Sequence, residues 1–447
     1  MGIDFLLKVF EENKENDAII WRDEVYSYGW LLDRTAYWQK KITSQKINSG
    51  AVTALEADFS PNSAALLLAL IEANCIIVPL AKAVKAKKSE FKKISQYEIS
   101  YVIDKNDNIK VNRLANVANH ELYQLLKTRR HPGLVLFSSG STGKSKAALH
   151  DLADILEKYK TPRHKQRTIT FLLYDHIGGL NTMLYTLSNG GCLITVQDRS
   201  PDRVLSAIEK HKVELLPTSP TFLNLILQSE AYKRYNLQSL KTISYGTEPM
   251  PESTLKRLHK LLPNIKLLQT YGLSEIGILR SKSKSSDSLW VKIGGEGFET
   301  RIVDGILQIK ANSAMLGYLN RPSPFTEDGW FITGDAVEVD GDYIKILGRE
   351  SEIINVGGEK VYPVEVESVL HMMDDVAEVI AGAELNPLIG NIVKVHVKLD
   401  NDETTSDFRK RMWSFCIDKL PKYSIPQKVV LAKKDMHSDR YKKMRRV

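Results

Sequence analysis

The segment Leu136-Phe-Ser-Ser-Gly-Ser-Thr-Gly-Lys-Ser-Lys146 predicts a short apolar strand that runs into a loop of glycines, small hydroxyl residues and lysines. Gly140 and Gly143 let the backbone turn tightly and bring its N–H groups close to an anion. Hydroxyl donors and positive charge come from the side chains of Ser138, Ser139, Ser141, Thr142, Lys144 and Lys146. A loop of this composition is suited to holding phosphate groups.

Two classes of nucleotide-binding protein have a loop of this kind. The P-loop pattern ends in Gly-Lys-Ser/Thr, which Gly143-Lys144-Ser145 satisfies, but Ser138 stands where the first glycine of that pattern belongs. The loop more closely resembles the phosphate loop of the adenylate-forming superfamily (acyl-CoA synthetases, nonribosomal adenylation domains and firefly luciferase), usually Thr-Ser-Gly-Thr-Thr-Gly-x-Pro-Lys-Gly. A P-loop NTPase or kinase therefore stays open as an alternative.

A second segment, Gln269-Thr-Tyr-Gly-Leu-Ser-Glu275, resembles the Tyr-Gly-x-Thr-Glu motif of the same superfamily. In that superfamily the aromatic ring lies against adenine, the hydroxyl meets the α-phosphate and the carboxylate holds Mg²⁺. The resemblance implies these roles for Tyr271, Ser274 and Glu275, with Glu275 as the metal ligand. A Mg²⁺ ion that bridges phosphate oxygens and takes few protein carboxylates suits ATP cleavage.

Two later segments resemble the parts of the superfamily that contact ribose and the incoming thiol. Gly329-Trp-Phe-Ile-Thr-Gly-Asp335 resembles Trp-Phe-x-Thr-Gly-Asp, whose aspartate accepts hydrogen bonds from both ribose hydroxyls, a role that falls on Asp335. Residues 348–367 resemble the segment that opens the C-terminal domain, which implies that Arg349 also reaches the ribose. Gly357 and Gly358 would let a pantetheine arm pass close to the backbone.

The adenine itself has a predicted binding segment. Tyr245-Gly-Thr-Glu-Pro-Met-Pro251 resembles the superfamily's Gly-Gly-Glu-x-Leu-Pro stretch, whose backbone lines the base. The resemblance implies this role for Gly246, Thr247 and Glu248.

The C-terminal segment offers two candidates for a catalytic lysine. The superfamily ends with Pro-x-Ser/Thr-x-x-Gly-Lys-x-x-Arg, whose lysine stabilises the charge that builds as a carboxylate attacks the α-phosphate. Here the end is Met436-His-Ser-Asp-Arg-Tyr-Lys-Lys-Met-Arg-Arg446. Aligning the serine gives the role to Lys442 and puts Tyr441 where glycine belongs, whereas aligning Arg446 selects Lys443. A merely solvated basic tail is the third alternative.

The acid substrate has a predicted pocket around Phe171-Leu-Leu-Tyr-Asp-His-Ile-Gly-Gly-Leu180. This segment resembles Pro-Leu-Phe-His-x-x-Gly of acyl-CoA and aryl-CoA ligases, so we expect His176 at the mouth of the pocket and a fatty or aryl acid inside it. Enzymes that activate amino acids place an aspartate there, because a buried ammonium group needs a partner. Asp175 is adjacent, so an amino-acid adenylation domain that loads a carrier protein stays open, as does a core role for His176.

The chain has 447 residues, 43% of them hydrophobic, which is too long for one ordinary domain. Up to about residue 348, apolar runs alternate with amphipathic stretches, which predicts an α/β fold of helix-linked parallel strands plus a small β-barrel-like part. We therefore expect an adenylate-forming core over 1–348 and a small mobile α+β lid domain over 349–447. Ser351 would lie at the hinge.

Charge and composition limit the partners and the setting. The net charge is +8, and residues 421–447 contain nine Lys or Arg against two Asp. Charge alone would suit nucleic acid, a membrane surface or a polyanionic substrate such as ATP or coenzyme A. We expect no nucleic-acid partner. The most apolar window, 64–81, is interrupted by a glutamate, an asparagine and a proline, so no membrane span is expected. Three cysteines without metal or redox spacing favour the cytoplasm.

Together, the resemblances imply an acid–thiol ligase that uses ATP and Mg²⁺, with coenzyme A or a phosphopantetheinyl carrier protein as acceptor. A carboxylate would first attack the α-phosphorus of ATP, giving an acyl-adenylate and pyrophosphate. A pantetheine thiol would then displace AMP. A catalytically silent nucleotide-binding protein is the remaining alternative, because the C-terminal motif departs from the superfamily pattern.

Overall fold

The structure, a computed structural model, describes residues 2–139, 144–386, 390–438 and 440–445. Gly140, Ser141, Thr142, Gly143 and Arg446 of the motifs above lie outside the described residues, as does the side chain of Ser139. The helices are α1 (Asp4–Glu12), α2 (Tyr28–Ser44), α3 (Pro61–Glu72), α4 (Lys88–Ser95), α5 (Glu121–Arg129), α6 (Leu152–Glu157), α7 (Ile177–Ser188), α8 (Pro201–His211), α9 (Pro220–Gln228), α10 (Glu252–Leu261), α11 (Pro363–Leu370) and α12 (Thr405–Cys416).

The strands are β1 (Asp17–Trp21), β2 (Glu24–Ser27), β3 (Val52–Glu56), β4 (Ile76–Leu80), β5 (Ile99–Ile103), β6 (Ile109–Arg113), β7 (Gly133–Ser139), β8 (Ser145–Asp151), β9 (Arg167–Thr170), β10 (Cys192–Thr195), β11 (Leu215–Thr218), β12 (Thr242–Tyr245), β13 (Lys266–Gln269), β14 (Gly272–Leu273), β15 (Gly277–Ile278), β16 (Arg280–Ser283), β17 (Trp290–Gly294), β18 (Phe298–Val303), β19 (Ile306–Ala311), β20 (Gly317–Tyr318), β21 (Phe331–Asp340), β22 (Tyr343–Arg349), β23 (Ile354–Val356), β24 (Glu359–Val361), β25 (Val376–Asn386), β26 (Gly390–Leu399) and β27 (Lys428–Leu431).

Helix α3 shows how the apolar window is used. The Ser60 side chain caps the helix by accepting from the Ser63 backbone N–H, and the Ser63 side chain accepts from the Ser60 backbone N–H. Pro61 occupies the first helical position. The helix is buried along most of its length and leads into β4, which is buried throughout. The window therefore belongs to a packed core. Among the described residues, no helix combines the length and apolar composition needed to cross a bilayer.

Two large sheets form the body. The first has the order β13-β12-β11-β9-β10-β1-β2 and is parallel except for its β1–β2 edge. The second has the order β20-β8-β7-β4-β3-β5-β6, with a parallel centre formed by β7, β4, β3 and β5. Because parallel strands end at one edge of their sheet, the loops after β9, β11, β12 and β13 meet there.

The segment quoted first lies in a β-hairpin. β7 and β8 pair antiparallel, with Ser138 opposite Lys146 and Ser139 opposite Ser145. A P-loop instead joins a strand to the start of a helix. The hairpin therefore argues against the P-loop NTPase or kinase alternative.

Two further sheets complete the molecule. β16-β17-β22-β21-β19-β18 form the antiparallel part that was predicted to be barrel-like. β24-β23-β26-β25, with β27 beside β26, pack on α11 and α12 around a separate apolar core. The α/β class is thereby confirmed, while the division between residues 348 and 349 stays a prediction.

Candidate active site

The residues predicted to hold ribose and adenine lie together. The Tyr271 hydroxyl donates to Asp335 Oδ2 over 2.5 Å, and Arg349 Nε lies 2.9 Å from Asp335 Oδ1. The sheet sets this pair, because Asp335 on β21 lies directly opposite Arg349 on β22. Burial raises the pKa of Asp335, although the Arg349 guanidinium opposes that rise. The carboxylate is thus fixed and faces one cation.

The predicted metal ligand is anchored to the sheet that carries the phosphate hairpin. Glu275 is 8% exposed, and its Oε1 accepts from the Tyr318 hydroxyl over 2.8 Å. Tyr318 belongs to β20, which pairs with β8, and the Lys146 ammonium on β8 lies 5.6 Å from the centre of the Tyr318 ring. Since Ser138 is the register partner of Lys146, the hairpin and the Glu275 carboxylate share one support.

The backbone beside Glu275 is held by a buried histidine. His150 Nε2 lies 2.6 Å from the Ser274 carbonyl oxygen, and His150 has no exposed surface. Because a carbonyl oxygen only accepts, the ring donates from Nε2. Burial lowers the pKa of His150, which keeps the ring neutral.

The donor set around Glu275 fits a magnesium ion shared with phosphate. Among the described residues, no group of three or more His, Cys, Asp or Glu side chains could enclose a metal by itself. Mg²⁺ commonly takes one or two protein carboxylates together with water and substrate phosphates. One buried, oriented carboxylate near the hairpin is consistent with that arrangement.

The predicted adenine segment follows β12. Gly246, Thr247 and Glu248 line the same cavity as Tyr271 and Asp335. The Glu248 carboxylate is engaged, since its Oε1 accepts from the Thr221 backbone N–H over 2.8 Å and its Oε2 accepts from the Lys443 backbone N–H over 3.1 Å. This segment therefore offers mainly its backbone to a ligand.

Lys442 reaches the site from the C-terminal segment. Its Nζ lies 3.4 Å from His176 Nε2, and Lys442 lines the cavity that also contains Tyr271 and Asp335. Burial lowers the pKa of Lys442 to about 8, although the Glu248 carboxylate opposes this shift. The role that the first motif alignment gives to Lys442 stays a prediction, with its ammonium group beside His176 and in the same cavity lining as Tyr271 and Asp335.

Tyr441 takes the turn conformation at the position where the superfamily motif has glycine. Its φ is +51°, a left-handed conformation that costs a non-glycine residue about 1–2 kcal/mol. The Tyr441 ring lies 5.3 Å from the rings of both Phe171 and Phe222, and the Ser219 hydroxyl donates to its carbonyl oxygen over 2.6 Å. These contacts offset the backbone cost.

The rival lysine, Lys443, lines the same cavity, but its ammonium group is paired with a carboxylate. Lys443 Nζ lies 2.6 Å from Glu367 Oε2, and Arg445 Nη1 lies 2.6 Å from Glu367 Oε1. Burial alone raises the pKa of the Glu367 carboxyl, but these two cations lower it to about 2. Lys442, Lys443 and Arg445 are therefore docked, which argues against a merely solvated basic segment at these positions.

His176 and Asp175 have different partners. His176 caps α7, and its Nδ1 accepts from the Gly178 backbone N–H over 3.0 Å. Burial lowers its pKa well below the usual value, and Lys442 and Arg440 lower it further. Asp175 is buried and lies 2.6 Å from Arg440 Nη2. That carboxylate is thus paired within the protein.

Two cavities meet at these residues. The smaller, of about 260 Å³, is lined by Tyr271, Asp335, Arg349 and Lys442. The larger, of about 710 Å³, lies between α7 and the first sheet and includes His176. The cavities share Gly246, Thr247, Thr270 and Gly272 in their linings. A ligand in one would therefore border a ligand in the other.

Gly357 and Gly358 are not brought to these cavities. They form the exposed turn between β23 and β24, with φ of +60° and +96°. Neither lines the two cavities described above. Their predicted contact with a pantetheine arm requires a different position of the C-terminal part.

Sequence reasoning missed several partners of the motif residues. Tyr318 and His150 hold Glu275 and Ser274, and Arg440 pairs with Asp175. His150 lies on the strand that follows the phosphate loop, and this position in the sequence could have indicated a role near the site. Tyr318 carried no comparable signal, because its role depends on β20 pairing with a distant strand.

The chain matches known proteins in both sequence and fold. Residues 8–305 match the family described as AMP-binding enzyme. The chain is 28% identical over 289 residues to the 4-coumarate–CoA ligase-like 9 of Arabidopsis thaliana, which covers 57% of this chain and 51% of the relative. It is 27% identical over 323 residues to the long-chain-fatty-acid–CoA ligase FadD13 of Mycobacterium tuberculosis, which covers 67% of this chain and 63% of the relative.

These matches therefore cover only about half to two thirds of the curated relatives' lengths. Among solved structures, the o-succinylbenzoate CoA synthetase of Bacillus subtilis, in complex with its acyl-adenylate intermediate, is similar with a TM-score of 0.78. The sequences are 19% identical, and the match covers 99% of this chain and 97% of that chain. This likeness shows a shared fold.

Proposed function

Because the chain belongs to the AMP-binding enzyme family, we propose that it is an AMP-forming acid–thiol ligase: it activates a carboxylic acid with ATP and transfers the acyl group to a pantetheine thiol. One observation carries this proposal. Tyr271, Asp335, Arg349 and Lys442, from four separate parts of the sequence, line one cavity that borders a second, larger one. The first suits AMP and the second suits an acid.

The nucleotide would be held by residues that are already oriented. Asp335 and Arg349 would bind the ribose, and Tyr271, which lines the same cavity as Gly246 and Thr247, would border adenine. Glu275 would hold Mg²⁺, which neutralises phosphate charge when bound. Ser138, Ser139 and Lys146, which belong to the hairpin, would contact the phosphates of ATP.

The acid carboxylate would lie between His176 and Lys442. Because His176 Nδ1 accepts from a backbone N–H, the proton of the neutral ring is on Nε2. Nε2–H and the Lys442 ammonium are thus two donors 3.4 Å apart. An anionic oxygen between them would accept from both. Lys442 would then stabilise the charge that develops as this oxygen attacks the α-phosphorus.

The second half-reaction requires another arrangement. A thiol would attack the acyl carbon and release AMP, and the Gly357 and Gly358 turn would have to approach the site for its predicted role. We propose coenzyme A as the acceptor, since both curated relatives named above are CoA ligases. A phosphopantetheinyl carrier protein presents the same pantetheine arm and is the alternative acceptor. A cytoplasmic location stays a prediction.

The amino-acid alternative has less support. Asp175 pairs with Arg440, and the described lining of the acid cavity contains no aspartate or glutamate. A substrate ammonium group would therefore lack a buried partner there.

Product analysis tests the proposal. The protein is incubated with ATP, Mg²⁺ and a panel of fatty, aryl, dicarboxylic and amino acids, with either coenzyme A or a phosphopantetheinyl carrier, and the products are identified by mass. We expect AMP, pyrophosphate and an acyl thioester with at least one acid. Release of ADP, or ATP binding without any acid-dependent turnover, would contradict the proposal and favour an NTPase or a silent nucleotide-binding protein.

A further inference from the structure

The larger cavity has an unusual charge for a pocket predicted to hold a fatty or aryl chain. Among its described lining residues there is no aspartate or glutamate. Its cationic side chains are Lys158, Arg163, Lys241, Lys266 and Arg280. A cavity lined by one sign of charge concentrates ligands of the opposite sign.

Lys158 is the cation of this group that lies inside the protein. Its Nζ donates to Asn181 Oδ1 over 2.7 Å and to the Ile278 carbonyl oxygen over 3.3 Å. Lys241 and Arg280 lie within 4 Å of Glu214 and Glu296, whereas no described carboxylate lies that close to Lys158 Nζ.

Burial lowers the pKa of Lys158 to about 8, because the charged ammonium form is less stable away from water than the neutral amine. A buried cation without a counter-charge is costly unless a ligand supplies one. An anionic group in the cavity would therefore satisfy Lys158.

Three threonine hydroxyl groups beside the same cavity lack a hydrogen-bond partner among the described residues. Thr168, Thr186 and Thr218 line the cavity, and each is 1% exposed. Their Oγ1 atoms are themselves almost fully buried, so a ligand in the cavity would reach them only after the surrounding side chains shift.

The spacing of Lys158 from the reacting carboxylate follows from α7. His176 caps this helix, and Asn181, which accepts from Lys158, lies about 7 Å further along its axis at about 1.5 Å per residue. This axial offset between the two anchoring residues is of the same order as the separation of the carboxylates in a short dicarboxylic acid, or in an aromatic acid with a second acidic group across the ring.

On the basis of the acid-activating function proposed above, we propose that the acid bound in this cavity carries a second acidic group that pairs with Lys158. The first carboxylate lies between His176 and Lys442, and the second lies near Asn181. The inference replaces the plain fatty or aryl acid expected from the sequence with a dianionic one.

Pyrophosphate exchange with matched acids tests the inference. Adipate is compared with hexanoate, and terephthalate with 4-methylbenzoate, at equal ATP and Mg²⁺. We expect kcat/KM to be about 10- to 100-fold higher for the diacid of a pair, the ratio expected for one charge-assisted hydrogen bond. Equal use of both members of each pair, or preference for the monoacids, would overturn the inference.

Substitution at Lys158 assigns the effect to this residue. Lys158→Gln should lower the ratio of kcat/KM for the diacid to kcat/KM for the monoacid from about 10- to 100-fold to near one. Lys160→Gln is the matched control, because Lys160 is an exposed lysine nearby that pairs with Glu157, and it should change neither value. An equal loss for diacid and monoacid in Lys158→Gln would mean that Lys158 only supports the fold.

The outcomes separate this inference from the proposed function. Exchange with monoacids but with no diacid leaves acid activation standing and overturns the second-anion inference. Exchange with no acid of any kind, in a sample shown by circular dichroism to be folded, contradicts both. The comparison of wild-type rates also stands if Lys158→Gln does not fold.

Discussion

Lys442 and Lys443 are neighbours in the sequence, and the motif alignment left both as candidates. The structure distinguishes them by their partners. Both line the smaller cavity, but Lys443 Nζ pairs with the fully buried Glu367, while Lys442 Nζ faces His176. Sequence could not make this distinction, because it depends on where α11 places Glu367 relative to the turn at Tyr441.

Replacing each lysine should therefore have a different effect. Lys442→Ala should lower the rate of adenylation about 100- to 1,000-fold, because it removes charge stabilisation of the transition state. It should spare thioester formation from preformed acyl-adenylate. Lys443→Ala should instead lower the free energy of unfolding, because Glu367 loses one of its two cations. Single-turnover assays and urea unfolding measure the two effects, and the reverse pattern would assign catalysis to Lys443.

The pKa of Lys442 makes a prediction about pH. Burial lowers it to about 8, so the free enzyme loses this positive charge as pH rises through that value. Since the charged form is the one that stabilises phosphate, kcat/KM for ATP should fall above pH about 8. The fall should move to higher pH in Lys442→Arg, because arginine stays protonated. An alkaline limb that is unchanged in Lys442→Arg would show that another group titrates.

At the scale of elements, the sequence predicted where strands lie better than where each strand ends. Short apolar runs closed by polar or turn-forming residues predict strands at Thr242–Tyr245 and Thr168–Leu173. The first matches β12, whereas the strand that contains Thr168 ends at Thr170. The backbone after Thr170 leaves the sheet to lead into the α7 cap at His176. Apolar composition alone did not signal that exit, because Phe171 and Leu173 are buried by other elements.

The link between β8, β20 and Glu275 was also absent from the sequence reasoning. It arises from the pairing of Tyr318 with Ala148, residues far apart in the chain. The Glu275 carboxylate, which is predicted to bind metal, and the hairpin predicted to hold phosphate are thereby positioned by one local unit.

Removing this link should weaken magnesium use. Tyr318→Phe deletes the hydroxyl that donates to Glu275 and should raise the Mg²⁺ concentration for half-maximal adenylation about tenfold, as expected for the loss of a group that orients a ligand. Tyr423→Phe, at an exposed tyrosine, is the control. An unchanged Mg²⁺ dependence in Tyr318→Phe would show that Glu275 needs no such support.

At the scale of the whole molecule, Lys442 lines the smaller cavity, which is proposed to bind AMP, and the Gly357 and Gly358 turn lies away from it. The pair of Arg440 and Asp175 joins the C-terminal segment to the larger body in this arrangement. The sequence predicted that two arrangements are needed for two half-reactions. It could not identify the contact that holds one of them.

Breaking that contact should affect the two half-reactions unequally. Arg440→Gln leaves the buried Asp175 unpaired and should slow adenylation about tenfold or more, because the arrangement that inserts Lys442 loses a charge pair. Thiol transfer from preformed acyl-adenylate should be kept or accelerated. The double variant Arg440→Gln with Asp175→Asn should recover part of the adenylation rate. Equal slowing of both half-reactions would contradict this role.

The central claim is that the separate motifs surround one AMP moiety that becomes joined to an acid. Isotope exchange between pyrophosphate and ATP, measured without any thiol, tests it most directly. The account predicts exchange that requires Mg²⁺ and an acid and that is lost in Lys442→Ala. Exchange that proceeds equally without acid, or no exchange with any acid in a folded sample that binds ATP, would contradict it.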